Sequence, residues 1–204
     1  MKKQKILIIV DYQNDFVDPR GALTVPNANA IVNNIQTKID SDEYTSTIFT
    51  FDTHTKKVYE TSDESKIFPI HCEFNTKGWN FFKIKPQSIK WTKFIKGRKE
   101  PFEMYQSDNE YFFTKDVFNI WDGNTTYPKW FEGTFPKDEY EIDIVGVATN
   151  YCVFMNVMGM VERGYTVNII QDCVEGIKAF PDGSIDESYE KNITVMKNRG
   201  VNFI

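Results

Sequence analysis

Cys152 is the residue of this chain best placed to do chemistry. The apolar, β-branched run Ile142-Asp143-Ile144-Val145 reads as a buried strand. Gly146 breaks it, and Thr149 and Asn150 are good helix N-cap residues. Val153, Phe154, Val157, Met158, Met160 and Val161 then follow at helical spacing. Cys152 thus falls in the first turn of a helix that leaves a strand. Backbone N–H groups and the helix dipole there favour a thiolate, and a thiolate beside such N–H groups is equipped for acyl transfer. A lone cysteine is equally at home as an inert core residue, so its company must decide.

Other strand ends supply that company. Asp11 follows Ile6–Val10, Asp52 follows Thr45–Phe51, and Lys96 follows Ile89–Ile95. Singly, such an aspartate is most often a turn residue and such a lysine a solvated one. Together at one edge they make a candidate active site. Asp11 can take the thiol proton and return it to a leaving group. The Lys96 ammonium would favour both the carboxylate and the thiolate. Neither of the two histidines, His54 and His71, sits where a base for Cys152 would. Asp52-Thr53-His54 turns its outer side chains to one face of an extended segment. With His71 that gives three N/O ligands suited to Zn²⁺, Fe²⁺ or Mn²⁺, with positions left open for water or substrate. Two ordinary loop histidines are the alternative.

The elements that must hold these residues alternate between strand and helix. Residues 26–39 and 185–198 have helical spacing, and Thr166–Ile170 and Val201–Ile204 read as further strands. Residues 53–88 form an irregular excursion. Residues 97–137 are packed helical pieces or a lid. The pattern predicts an α/β fold: a doubly wound, Rossmann-like, mostly parallel sheet with flanking helices, formed by one domain over 1–204. In such sheets ligands bind beyond the carboxyl ends of the strands.

Composition narrows the classes. With 204 residues, 41% hydrophobic, the chain can bury a core. A net charge of −5 and no long basic cluster argue against nucleic acid as a partner. The longest apolar runs are far short of a membrane span, and the first does not read as a signal peptide. Three cysteines argue against a disulfide framework and for a reduced, cytoplasmic setting.

The ordered motifs resemble those of the isochorismatase-like cysteine hydrolases, in their nicotinamidase branch, over most of the chain. Asp11-Tyr12-Gln13-Asn14-Asp15-Phe16 is similar to the family's D-x-Q-N-D-F. Asp52-Thr53-His54 with Pro69-Ile70-His71-Cys72 resembles D-x-H…P-x-H-C. Lys96-Gly97 before Glu103-Met104-Tyr105 resembles K-G…D-A-Y, and Gly146 to Val153 resembles G-V-A-T-D-x-C-V. The resemblance implies a catalytic triad of Asp11, Lys96 and Cys152, and a metal held by Asp52, His54 and His71, with Glu64 as an added carboxylate. It implies a cis peptide before Ala148, whose N–H with that of Cys152 forms an oxyanion hole. It also implies a ring pocket of Phe16, Phe68, Tyr105 and Tyr151. The activity implied is hydrolysis of nicotinamide to nicotinate through a Cys152 thioester, serving NAD salvage, with no organic cofactor. Another small carboxamide, carbamoyl or vinyl-ether substrate is the alternative. Outside enzymes, the alternative is a binding protein or a thiol sensor using Cys72 or Cys173.

Three departures stand out. Asn150 replaces the usual aspartate, and Gln106 follows the tyrosine where serine is usual. The 56 residues from Lys96 to Cys152 imply an insertion between about 106 and 137, and they leave Lys115 as a rival lysine. Lys96 is preferred for the strand before it and the tyrosine nine residues after it. The aromatic stretch from Trp121 to Phe131 suits a lid or a subunit contact in a homo-oligomer.

Overall fold

In a computed structural model, which describes residues 2–88, 90–180 and 182–204, seven strands form one twisted sheet. They are β1 (Gln4–Val10), β2 (Ser46–Asp52), β3 (Met104–Ser107), β4 (Glu110–Lys115), β5 (Tyr140–Val147), β6 (Thr166–Glu175) and β7 (Asn202–Phe203). Their order is β3-β4-β2-β1-β5-β6-β7. Every pairing is parallel except the β3–β4 hairpin at one edge. The expected α/β class and mostly parallel sheet are therefore found.

Both faces of the sheet are covered, which explains why its central strands are continuous apolar runs rather than alternating ones. Leu7 and Ile9 of β1 join a core with Phe49, Phe51 and Trp79. Ile6, Ile8 and Val10 join the opposite core with Ile48, Phe113 and Val157. Among the described residues, eight α-helices, several of a single turn, pack around the sheet: α1 (Asn14–Val17), α2 (Val32–Ile39), α3 (Lys56–Tyr59), α4 (Lys90–Ile95), α5 (Ile120–Gly123), α6 (Tyr127–Thr134), α7 (Phe154–Glu162) and α8 (Ser188–Asn198).

The strand expected over 89–95 is instead helix α4; Ile89 itself lies outside the described residues. Trp91, Phe94 and Ile95 are spaced i, i+3, i+4, so a helix turns all three toward the aromatic core and leaves Lys90, Thr92 and Lys93 to solvent. Trp91 stacks on Phe112 with centroids 4.1 Å apart. Lys96-Gly97 is the end of that helix. The Lys96 N–H donates to Thr92 O, and Gly97 takes φ +82°, as expected for a glycine that closes a helix.

The missed strands are β3 and β4, of which β4 is internal to the sheet. All six residues of Glu110-Tyr-Phe-Phe-Thr-Lys115 are buried, and β4 lies between β2 and β3. Its hairpin with β3 turns through Asp108 and Asn109, with Asp108 at φ +57°. The segment 106–137 thus contributes an internal strand and helices α5 and α6, and it brings a lysine to the end of β4.

Candidate active site

Four strands end on polar groups at the same edge. Asp11 immediately follows β1, Asp52 closes β2, Lys115 closes β4, and Cys152 follows β5 in a tight helical turn over Thr149–Val153. Asp52 and Lys115 are register partners. Gly146 makes the close approach of β5 possible: with φ +114°, a side chain there would meet Val10 O at 2.2 Å.

Lys115 joins the groups. Its Nζ lies 2.7 Å from Asp11 Oδ2, 3.2 Å from Asp52 Oδ1 and 3.6 Å from Cys152 Sγ. Burial works against its charge, but Asp11 and Asp52 outweigh burial and hold the ammonium well above the ordinary lysine range. Lys96 is exposed at the end of α4 and is not brought to this cluster. The sequence signal for Lys115 was available: a polar end to a fully aromatic, β-rich run, behind a two-residue turn.

Asp11 sits at φ +46°, in the left-handed region that aspartate tolerates better than most residues. The Thr50 hydroxyl donates to its Oδ1 at 2.6 Å and accepts the Asp11 N–H at 3.3 Å. Thr50 was not picked out from the sequence, though a hydroxyl inside an apolar strand is a visible signal. Burial pushes the Cys152 thiol well above the ordinary cysteine range. Lys115 opposes this, and the Asp11 and Asp52 charges reinforce it. Burial and the two carboxylates thus work against the thiolate that the helical turn and Lys115 favour.

The metal candidates converge beside this cluster. Asp52, His54 and His71 are buried, with ligand atoms within 4.8 Å of one another. Asp52 Oδ2 lies 3.0 Å from Nε2 of both histidines. Glu64 faces the same point, at 3.8 Å from His54 Nε2 and 3.6 Å from His71 Nε2. Burial opposes ionisation of Asp52, yet Lys115 and the two imidazoles hold its carboxyl well below the usual range. His71 Nδ1 lies 2.9 Å from Pro69 O, which leaves Nε2 as the donor atom. Among the described residues, His71 Nε2 and Glu64 Oε1 are buried without a hydrogen-bond partner. Buried polar atoms that point together without partners fit a cation between them.

The Asp11–Phe16 motif builds this frame residue by residue. The Gln13 amide donates to Asp52 O and accepts from Asp52 N, each at 2.8 Å. Asn14 Nδ2 holds the backbone at Lys77 and Asn80. Asp15 Oδ2 accepts the Cys72 N–H at 2.7 Å, which anchors the chain beside His71. Phe16 packs on the His71 ring at 5.3 Å.

An apolar cleft lies over Cys152 and Ala148. Phe16, Phe68 and Tyr151 line it. Tyr105 does not: on β3 it stacks against Phe94 at 3.7 Å, because its hairpin runs along the sheet edge. Phe118, which follows β4, lines the cleft with Ile177, and it meets Phe68 and Tyr151 edge-on. The peptide between Val147 and Ala148 is cis, as the resemblance implies.

Known proteins share this chain's family and fold. A family model described as Isochorismatase domain matches residues 5–204. The nicotinamidase of Saccharomyces cerevisiae is 30% identical over 206 residues, covering 87% of this chain and 91% of that protein. A crystal structure of the pyrazinamidase of Pyrococcus horikoshii in complex with zinc superposes with a TM-score of 0.71 at 24% identity, covering 98% of both chains. An L. infantum structure in complex with nicotinate gives 0.72 at 19% identity, covering 99% of this chain and 92% of that one.

Proposed function

The chain belongs to the isochorismatase-domain family, and we propose that this amide hydrolase converts nicotinamide to nicotinate and ammonia. The observation that carries the reading is the position of Lys115, which ties a buried thiol, a carboxylate base and a metal-binding carboxylate into one cluster beneath an apolar cleft. The curated yeast relative, a nicotinamidase, supports the choice of substrate.

In this reading the flat ring lies between Phe16 and Phe68, with its carboxamide over Cys152. Cys152 Sγ attacks the carbonyl carbon as its proton passes to Asp11. A thiol that is neutral at rest needs such a base at the moment of attack. Lys115 pairs with Asp11 before the attack, and it offsets the charge on sulfur during it. The oxyanion rests on the Ala148 and Cys152 N–H groups. Loss of one such donor typically costs about 10²–10³ in rate. Asp11 then protonates the nitrogen as the C–N bond breaks, ammonia leaves, and a thioester remains. Water, deprotonated by Asp11, attacks the thioester carbon; the C–S bond breaks and the proton returns to sulfur. Asp52, His54 and His71, with Glu64 beside them, would hold a divalent ion. When bound, that ion supplies a Lewis-acid contact for a ring nitrogen or an ordered water. The zinc-bound P. horikoshii neighbour favours zinc among the candidates.

A role in NAD salvage follows from this product. The three free cysteines suit a cytoplasmic setting, and among the described residues no helix is long and apolar enough to cross a membrane. A second reading, another small carboxamide or carbamoyl substrate, is favoured by the wall itself, where Phe118 stands and Tyr105 does not. A panel of nicotinamide, pyrazinamide, benzamide and carbamoyl compounds, read by ammonia release, separates the two. Nicotinamide should have the highest kcat/KM. A higher value for a compound without a ring nitrogen would overturn the first reading.

A further inference from the structure

Asn150 is 2% exposed and spends its amide on one segment. Its Oδ1 accepts the Ile177 N–H at 3.0 Å. Its two Nδ2 hydrogens are shared among Ile177 O at 3.0 Å, Asp186 Oδ2 at 3.1 Å and Ser188 Oγ at 2.8 Å. These partners fix the orientation of the amide, since the Ile177 N–H can only donate and the Ile177 carbonyl and Asp186 carboxylate can only accept. The same Asp186 Oδ2 accepts the Tyr151 hydroxyl at 2.7 Å. Asp186 is itself held in place. Its Oδ1 accepts the Ser188 N–H at 2.9 Å, and its own N–H donates to Lys178 O at 3.0 Å. At the other end, Asn192 of α8 donates to Asn150 O at 2.9 Å.

Both ends of this network reach the cleft, because Ile177 and Tyr151 are two of its walls. We propose that Asn150 and Asp186 form a polar latch that sets the width of the substrate cleft, with Asn150 as a positioning residue for ring binding. The latch takes the cleft over Cys152 as the substrate's seat and so rests on the reading above. Chemistry explains why this chain carries an amide at 150. A carboxylate there could still accept the Ile177 N–H, but it would face the Ile177 carbonyl and Asp186 with no proton to give. Like charges and an unpaired carbonyl at a buried site would push Ile177 and Asp186 away. The aspartate at 186 is therefore matched to the asparagine at 150, and the two should change together.

The test compares wild type, Asn150→Asp, Tyr151→Phe and Asn150→Asp/Asp186→Asn. Two readouts are used: KM and kcat on the best carboxamide, and the rate of Cys152 alkylation by iodoacetamide from peptide mass. Asn150→Asp should raise KM about tenfold or more with kcat within about threefold, the split expected for lost ring binding. Alkylation should quicken about fivefold as the wall loosens. In the double variant the amide introduced at position 186 can donate to the carboxylate introduced at position 150, so both values should return to within about threefold of wild type. Tyr151→Phe keeps the ring and loses only the bond to Asp186; its KM should rise about threefold, and it serves where Asn150→Asp fails to fold. Unchanged KM and alkylation in both single variants, or a double variant as impaired as Asn150→Asp, would overturn the latch. Wild-type protein inert to every carboxamide would overturn the activity while alkylation still judged the latch.

Discussion

At the scale of single residues, the decisive group is Lys115. It is a buried ammonium between two buried carboxylates, with side chains 0–2% exposed. Removing one partner from such a cluster leaves uncompensated charge, at a cost of about 3–5 kcal/mol. Lys115→Ala should therefore lose stability of that order in denaturant melts and lose turnover about 10²-fold or more. Lys96→Ala, at an exposed helix end, should change stability by less than about 0.5 kcal/mol and leave turnover intact. The opposite pattern would return the catalytic role to Lys96. Asp11→Asn removes the proposed base but keeps the shape. Turnover should fall about 10²–10⁴-fold, and a variant within tenfold of wild type would exclude Asp11 as the proton carrier.

At the scale of elements, the structure turns on which segment forms the strand beside β2. Most of this scale was legible. The β-branched runs at 6–10, 46–51, 142–145 and 166–170 are strands because they are apolar on both faces, and that pattern does not depend on distant partners. The misreading arose where two aromatic segments competed. Residues 90–95 and 110–115 are both rich in large side chains, and composition cannot separate them. Period can: Trp91, Phe94 and Ile95 share one helical face, whereas 110–115 is buried throughout. Within the site, Asp11, Cys152 and the Asp52–His54–His71 group were readable because local motifs place them. Lys115 was legible only as a rival to Lys96, and Thr50 and Phe118 were not singled out, since their positions depend on strand pairing. The role of α4 can be tested by Trp91→Ala. Trp91 stacks on Phe112 and Phe51, so its loss should cost about 3–5 kcal/mol by denaturant melts. Activity per folded molecule should hold, and a loss below about 1 kcal/mol would mean that α4 does not cover this core.

At the scale of the whole molecule, sheet topology does the assembling. Strands β1, β2, β4 and β5 are neighbours in the sheet although 37 residues separate Lys115 from Cys152. One edge thus holds a thiol, carboxylates, an ammonium and two imidazoles, and helix and loop segments close an apolar cleft above them. The metal group is separable from the thiol. His54→Ala should lose bound metal by elemental analysis, while Cys152→Ala should retain it; equal metal content in wild type and His54→Ala would remove the metal assignment. The central claim is that Cys152 hydrolyses the amide of nicotinamide. Its most direct measurement is nicotinate formed from nicotinamide by metal-replete wild-type protein beside Cys152→Ala. The expected result is steady nicotinate production with an equal amount of ammonia in wild type, and none above background in Cys152→Ala. Folded, metal-replete wild type that forms no nicotinate, or a Cys152→Ala variant that matches its rate, would contradict it.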